Sequence, residues 1–299
     1  MKVTINFKFI LVLAAFLGII IAPIALLAQK NANKEFSFIF MSDIHIMDNP
    51  EILKSYRKAI AKANSLSPDF VLTGGDNVFD VMRGNAPMSD SLFTLLKEEN
   101  KAFKAPIYTT LGNHDLFGIY KESNNDSTHA YYKYALYEKH LGKTYHSFDH
   151  KGWHFVILND LDVKNQQYFG SFDYAQLEWL KNDLSKIDKK TPVVIVMHIP
   201  LVSVQFQVQQ RREGAVPEQD VVNKYKLFEI LEPYNFKIAL QGHLHFFEDI
   251  YVNQKTHFIT GGAVAGRPSW RGTVNGPRGF VNFKVKGDQF SYDFVEYEK

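Results

Sequence analysis

The stretch from Phe36 to Asn77 reads "FSFIFMSDIHIMDNPEILKSYRKAIAKANSLSPDFVLTGGDN". It opens on the aromatic-rich run Phe36 to Met41 and closes on the apolar run Phe70 to Thr73. Both runs are short and bounded by polar residues, so both are expected as strands. Between them Asn49 and Pro50 supply an N-cap and a first-turn residue for a helix through about Ala63. Strand, helix and strand at this spacing form a βαβ unit, whose crossover makes the two strands parallel.

The same alternation continues downstream. "SLFTLLKEENKAF" (Ser91 to Phe103) is expected as a helix and "PIYTTLG" (Pro106 to Gly112) as a strand. "STHAYYKYALYEKHLG" (Ser127 to Gly142) reads as a helix stopped by glycine, and "TYHSFDHKGWHFVILND" (Thr144 to Asp160) as two strands around a turn at Lys151 and Gly152. "FDYAQLEWLKNDLSKI" (Phe172 to Ile187) is a helix with Asp173 as N-cap and Gln176 completing a capping box. Its Leu177, Leu180 and Leu184 fall on one face. A strand (Pro192 to His198), a helix (Glu218 to Tyr234) and a strand (Phe236 to Gly242) follow. From Phe246 onward short strands succeed one another with no helix between them. The reading is an α/β domain over residues 36–299, parallel at its start and antiparallel at its end, with no internal repeat or second-domain boundary.

The chain has 299 residues, 45% of them hydrophobic and 14% aromatic, enough for a sizeable core. Its net charge of +2 comes from Lys2 and Lys8, which lie in a first segment without Asp or Glu; the remainder balances 32 basic against 32 acidic residues. A neutral body carries no global signature of nucleic-acid binding. The N-terminal order of lysines, an apolar run from Phe9 to Leu27 and small residues is that of a signal peptide over residues 1–28, cut after Ala28. Export to a periplasm or to the medium is the expectation. The competing reading is an uncleaved anchor over residues 9–27, close to the ~20 residues that span a bilayer, with the domain outside the cytoplasm. The chain has no cysteine, which excludes disulfides, thiolate metal sites and cysteine nucleophiles.

Polar residues of one chemistry gather just past the strands. "FIFMSDIH" delivers Asp43 and His45; "VLTGGDN" delivers Asp76 and Asn77; "TTLGNHD" delivers Asn113, His114 and Asp115; "VVIVMH" delivers His198; "IALQGHLH" delivers His243 and His245. Alone, each would more often be a capping Asp or a satisfied loop His. In open α/β sheets, however, ligands bind beyond the carboxyl ends of the strands, so these loops are expected to converge. Oxygen and imidazole donors without thiolate suit Mn, Fe or Zn better than Mg. The ligand set is too large for one ion and suits two, divalent or of mixed valence, sharing a carboxylate.

These motifs resemble those of the calcineurin-like metallophosphoesterases: D-x-H at Asp43 to His45, G-D at Gly75 and Asp76, G-N-H-D at Gly112 to Asp115, a lone His198, and G-H-x-H at Gly242 to His245. The resemblance runs from Phe36 over nearly the whole remaining chain, and the "QLEWL" helix resembles a segment of the cyclic-nucleotide-phosphodiesterase-like members. It implies a four-layer α/β/β/α sandwich of two mixed β-sheets flanked by helices. It also implies a first metal on Asp43, His45 and His245, a second on Asn113, His198 and His243, and Asp76 bridging them. The activity implied is hydrolysis of a small-molecule phosphate ester by in-line attack of a bridging hydroxide. His114 would serve as acid or charge stabiliser and Asp115 would orient it. Diesters are favoured over monoesters on this analogy, with a phosphomonoesterase or a catalytically silent metal-binding scaffold as alternatives. Purple acid phosphatases carry D-x-G and G-D-x-x-Y where this chain has His45 and Phe79, so tyrosinate–iron colour is not expected. The protein-phosphatase pattern G-D-x-V-D-R-G is also absent from "GDNVFDVM". Arg267, Trp270 and Arg271 could meet a substrate, and Arg211 with Arg212 could form a rim, although solvated loop residues are the plainer reading. His129, His140, His146, His150, His154 and His257 match no motif and are read as surface or strand residues.

Overall fold

The computed structural model describes residues 35–205, 220–265 and 277–298. Strand β1 (Glu35–Met41) leads through helix α1 (Pro50–Ser65) to β2 (Phe70–Thr73), and helix α2 (Ala86–Asn100) leads on to the short β3 (Ile107–Tyr108). The N-cap of α1 is as expected: the Asn49 side chain accepts from the backbone of Glu51 and Ile52 at 3.0 and 3.2 Å. After α3 (Ala135–Leu141) come β4 (His146–His150), β5 (Trp153–Ile157), β6 (Leu161–Lys164) and β7 (Gln167–Gly170). Then follow α4 (Tyr174–Leu184), β8 (Pro192–Val196), α5 (Lys224–Leu231) and β9 (Asn235–Gln241). The chain ends in β10 (Glu248–Val252), β11 (Thr256–Thr260), β12 (Gly279–Lys286) and β13 (Gln289–Glu296).

Two mixed sheets result, in the orders β13-β12-β1-β2-β3 and β10-β11-β9-β8-β5-β4, with β6 and β7 as a separate hairpin. The neighbours β1 and β2, β5 and β8, and β8 and β9 are parallel, whereas β12 pairs antiparallel with both β1 and β13. Alternation along each strand decides the layers. Phe36, Phe38 and Phe40 of β1 meet Phe155 and Ile157 of β5, Val194 and Val196 of β8 and Phe283 of β12 in a buried cluster between the sheets. Phe38 stacks between Phe70 and Phe283, at centroid distances of 5.2 and 4.5 Å. The intervening Ile39 and Met41, with Ile195 and Ala239, face outward into a second buried set with Tyr56, Ala59, Leu180 and Leu227 of the helices. The outer faces are therefore covered by helices, completing the expected four-layer α/β/β/α sandwich.

Several expected helices are shorter or displaced. Helix α2 begins at Ala86 rather than Ser91, capped by Asn85, which accepts from Met88 N at 3.0 Å. Only Ala135–Leu141 of the Ser127 to Gly142 stretch is α-helical. Helix α5 spans Lys224–Leu231, shorter than the expected stretch to residue 234, and Val221 before it bridges to Gly170. The capping box at α4 forms only in part: Asp173 accepts from Gln176 N at 2.7 Å, but the Gln176 side chain turns to Asn159. No helix among the described residues is long and apolar enough to cross a membrane. The signal-peptide and anchor readings of residues 1–28 lie outside the described residues.

Candidate metal centre

Beyond the strand ends of β1 and β2 the two segments keep pairing. Asp43 N donates to Gly75 O at 3.1 Å, His45 N to Asp76 O at 2.9 Å and Ile46 N to Asn77 O at 3.1 Å. This zipper turns both loops into left-handed backbone: Asp43, His45 and Asp76 have φ of 55°, 46° and 51°. His243 and His245 adopt 72° and 61°. Non-glycine residues rarely take such angles, which cost on the order of 1–3 kcal/mol each and persist where the surrounding structure dictates them. Glycine is required where backbone meets backbone. A Cβ on Gly112 would lie 1.9 Å from Asp76 N, and one on Gly242 would lie 2.5 Å from Gly74 O.

The seven sequence-derived ligands come together. Asp43, His45, Asp76 and His245 form one group, and Asp76, His198 and His243 a second, with one donor atom of each residue within 4.8 Å of the others in its group. Asp76 belongs to both. Its Oδ1 lies 3.3 Å from His198 Nε2 and its Oδ2 lies 3.6 Å from His45 Nε2. Asn113 joins the second group, its Oδ1 being 2.9 Å from His198 Nε2 and 3.0 Å from His243 Nδ1. In the first group His45 Nε2 and His245 Nε2 point at each other across 3.1 Å, and His245 Nε2 lies 3.3 Å from Asp43 Oδ1.

Electrostatics fit a cation-binding centre. His198 Nδ1 donates to Gly74 O at 2.7 Å, which leaves Nε2 and its lone pair facing Asn113 and Asp76. Burial pulls this imidazole down, but Asp76 and Asp43 push it up to about 10, so without metal it carries a proton there. Burial and the neighbouring His198 charge push His243 down to about 3. Burial likewise holds His45 well below its ordinary value, keeping its nitrogens available as ligands. Burial would raise Asp76, but His198, His114 and His45 outweigh it and hold the carboxylate well below its usual range. Converging lone pairs, two buried carboxylates and neutral imidazoles at His45 and His243 are a donor set that fits metal ions, once His198 gives up its proton.

His114 stands outside both groups but against them, its ring edge-on to that of His45 at 4.7 Å. Its Nδ1 accepts from Asp80 N at 3.3 Å, so a neutral ring carries its proton on Nε2. Burial lowers this imidazole despite the opposing charges of Asp76 and Asp80. The expectation that Asp115 orients His114 is corrected. Asp115 Oδ1 accepts from the backbone of Asn77 and Val78, both at 3.0 Å, and Oδ2 accepts from Gly112 N and Asn77 Nδ2, both at 2.8 Å. It ties the Gly75–Asn77 loop to the Gly112 loop and makes no bond to the His114 ring. Phe79, where purple acid phosphatases have tyrosine, presents a ring without oxygen 6.3 Å from that of His114.

The sequence reading missed Asp160. It is buried beyond β5, between that strand and the His198 turn. The signal available was a polar Asn159-Asp160 pair at another strand end. Among the unassigned histidines, His154 is buried between Asp149 and Asp183, at 2.7 and 3.0 Å, and His257 is bonded to Asp249. Arg211, Arg212, Arg267, Trp270 and Arg271 lie outside the described residues.

The sequence matches the family model of the calcineurin-like phosphoesterases over residues 36–247. It resembles purple acid phosphatase 22 of Arabidopsis thaliana, 28% identical over 197 residues, which is 63% of this chain and 41% of that one. Purple acid phosphatase 23 of the same plant is 31% identical over 155 residues, 48% of this chain and 29% of that one. The chain thus spans about two fifths or less of these relatives' length. A dimetal phosphatase from Danio rerio shares the fold with a TM-score of 0.62 at 17% identity, covering 87% of this chain and 97% of that one. A purple acid phosphatase from yellow lupin, Lupinus luteus, gives 0.64 at 16% identity, covering 90% of this chain and 52% of that one.

Proposed function

The chain belongs to the calcineurin-like phosphoesterase family, and from that premise we propose that it is a metal-dependent hydrolase of phosphate esters with a dinuclear centre. The observation that carries this reading is the placement of Asp76, whose two oxygens face separate ligand groups. Asp43, His45 and His245 would hold one ion and Asn113, His198 and His243 the other, with Asp76 between them. When bound, such an ion pair lowers the pKa of water and balances charge on the oxygens of an in-line displacement at phosphorus.

The chain's own residues do the rest. Asp76 receives the His114 backbone N–H at 2.8 Å, which fixes the imidazole relative to the centre. With Nδ1 occupied by Asp80 N–H, His114 presents Nε2–H as the donor to the leaving oxygen, where it stabilises developing charge. The left-handed backbone of Asp43, His45, Asp76, His243 and His245 holds the donors in place before the substrate arrives. The complete donor set argues against a silent scaffold.

Phosphodiesters are the favoured substrates on the resemblance of the motifs to phosphodiesterase-like members. A phosphomonoesterase is the second reading, supported by the relatives named as phosphatases. Export follows from the N-terminal pattern of the sequence. The test is hydrolysis of bis-p-nitrophenyl phosphate against p-nitrophenyl phosphate by metal-stripped protein reloaded with Mn, Fe or Zn. Metal-dependent turnover lost in Asp76→Ala supports the enzyme, and the ratio of the two esters selects between readings. Tight metal binding without turnover of either ester would favour the scaffold.

A further inference from the structure

Asp160 is a buried carboxylate that the proposed chemistry does not use, and no Lys or Arg among the described residues pairs with it. Burying a carboxylate is costly, and burial pushes Asp160 up to about 7 although the neighbouring His198 charge opposes it. Among the described residues, the one hydrogen bond of this carboxylate goes to the turn that carries His198: Asp160 Oδ1 accepts from His198 N at 3.3 Å, while Oδ2 is buried without a hydrogen-bond partner.

The position of Asp160 is itself fixed. Gln176 is fully buried in the first turn of α4 and aims its amide at the end of β5. Its Oε1 accepts from Asn159 N at 2.8 Å and its Nε2 donates to Asn159 O at 2.7 Å, the pair of bonds a neighbouring strand would make. Asn159 Oδ1 then accepts from Leu161 N at 3.0 Å, and Asp160 O accepts from Ser171 N at 2.8 Å. The backbone on either side of Asp160 is therefore held. At the far end of the His198 turn, Gln241 Oε1 accepts from Leu201 N at 2.8 Å.

We propose that Asp160, clamped by Gln176 through Asn159, is a positioning residue for the second metal position: it sets the His198 backbone so that Nε2 meets Asp76 and Asn113. The proposal rests on the dinuclear reading above. Asp160 touches no reacting atom, and its effect reaches the centre only through His198.

The test counts Mn2+ per chain in the full chain, wild type against Asp160→Ala, Asp160→Asn and Gln176→Ala, with thermal melting as the control for folding. Electron paramagnetic resonance separates coupled ion pairs from isolated ions. Outer partners of metal ligands change metal affinity by roughly 10–100-fold. Wild type is expected to bind a coupled pair. Asp160→Ala should keep one ion firmly, weaken the other by about that factor and show an isolated-ion signal. Gln176→Ala should shift the same ion in the same direction, and it carries the test if Asp160→Ala fails to fold. Asp160→Asn, which retains an acceptor oxygen, should restore the pair. A coupled pair bound by a folded Asp160→Ala or Gln176→Ala as tightly as by wild type would overturn the proposal, as would Asn failing like Ala. Wild type that binds no Mn2+ would instead remove the dinuclear reading beneath it.

Discussion

His198 Nε2 lies 2.9 Å from Asn113 Oδ1, and since the other ring nitrogen donates to Gly74 O at 2.7 Å, two lone pairs meet unless a proton or a cation stands between them. The Asp76 carboxylate beside this imidazole, outweighing burial, pushes it up to about 10. Metal must displace that proton, so binding at neutral pH should release at least one proton per chain and tighten as pH rises towards 10. The sign for folding is separate: a raised imidazole stabilises the metal-free fold fully below its unfolded value, and that contribution is lost as pH rises through about 10. Titration calorimetry in buffers of different ionisation enthalpy checks the release; heats independent of buffer would contradict it.

Asp76 links both ligand groups, so Asp76→Asn should disturb both ions rather than one. Losing the shared carboxylate removes several kcal/mol of charge stabilisation, on the order of a 10^3-fold loss in kcat. The stabilisation of the fold by added Mn2+ should shrink with it. Melting curves with and without Mn2+, alongside turnover, provide the check, and a variant with wild-type Mn2+ stabilisation would count against a bridging role.

Gly112 and Gly142 separate crowding from backbone preference. A Cβ at Gly112 would sit 1.9 Å from Asp76 N, while at Gly142, with φ of 93°, nothing lies within 4 Å. Gly142→Ala should cost only the strain of holding a side chain at φ 93° and ψ −157°, a region nearly exclusive to glycine, about 1–3 kcal/mol. Gly112→Ala should cost more than about 4 kcal/mol or prevent folding, because the Asp76 backbone must move. Urea unfolding of both variants decides it; equal costs would mean that the two loops are less tightly apposed.

Asp115 is pushed up to about 7 by burial and by the nearby Asp76 charge, against the N–H groups that hold it down. A raised carboxyl binds its proton more tightly folded than unfolded. Its contribution to the metal-free fold therefore declines as pH rises from about 4 to about 7. Asp115→Asn should flatten that slope. It should also cost about 1–3 kcal/mol at neutral pH, since an amide NH2 would face an N–H donor. Denaturant unfolding of metal-free protein across this pH range tests both effects, and an unchanged slope would remove Asp115 as its source.

The strand ends were legible because an apolar run followed by Asp, Asn or His is a local pattern. Asp43, Asp76 and His198 could thus be expected in one place although they lie far apart in sequence. What escaped was set by distant contacts. The stretch before α3 has helical composition, but Lys133 is left-handed at φ 63° and pairs with Phe117 instead. Val221 lies in a stretch of helical composition, but Gly170 of the β6–β7 hairpin draws it into a bridge. That hairpin turns at Asn165 and Gln166, with φ of 51° and 58°, a weak signal where glycine is absent. Gln176 completes a capping-box pattern by spacing, yet its amide serves β5, a partner no local rule names.

The most direct measurement is anomalous diffraction from crystals loaded with Mn2+. Two peaks roughly 3.5–4 Å apart are expected, one on each side of the Asp76 carboxylate. One should be bound by Asp43, His45 and His245, and the other by Asn113, His198 and His243. A single peak, or two peaks that do not share Asp76, would contradict the dinuclear centre on which the proposed hydrolysis depends.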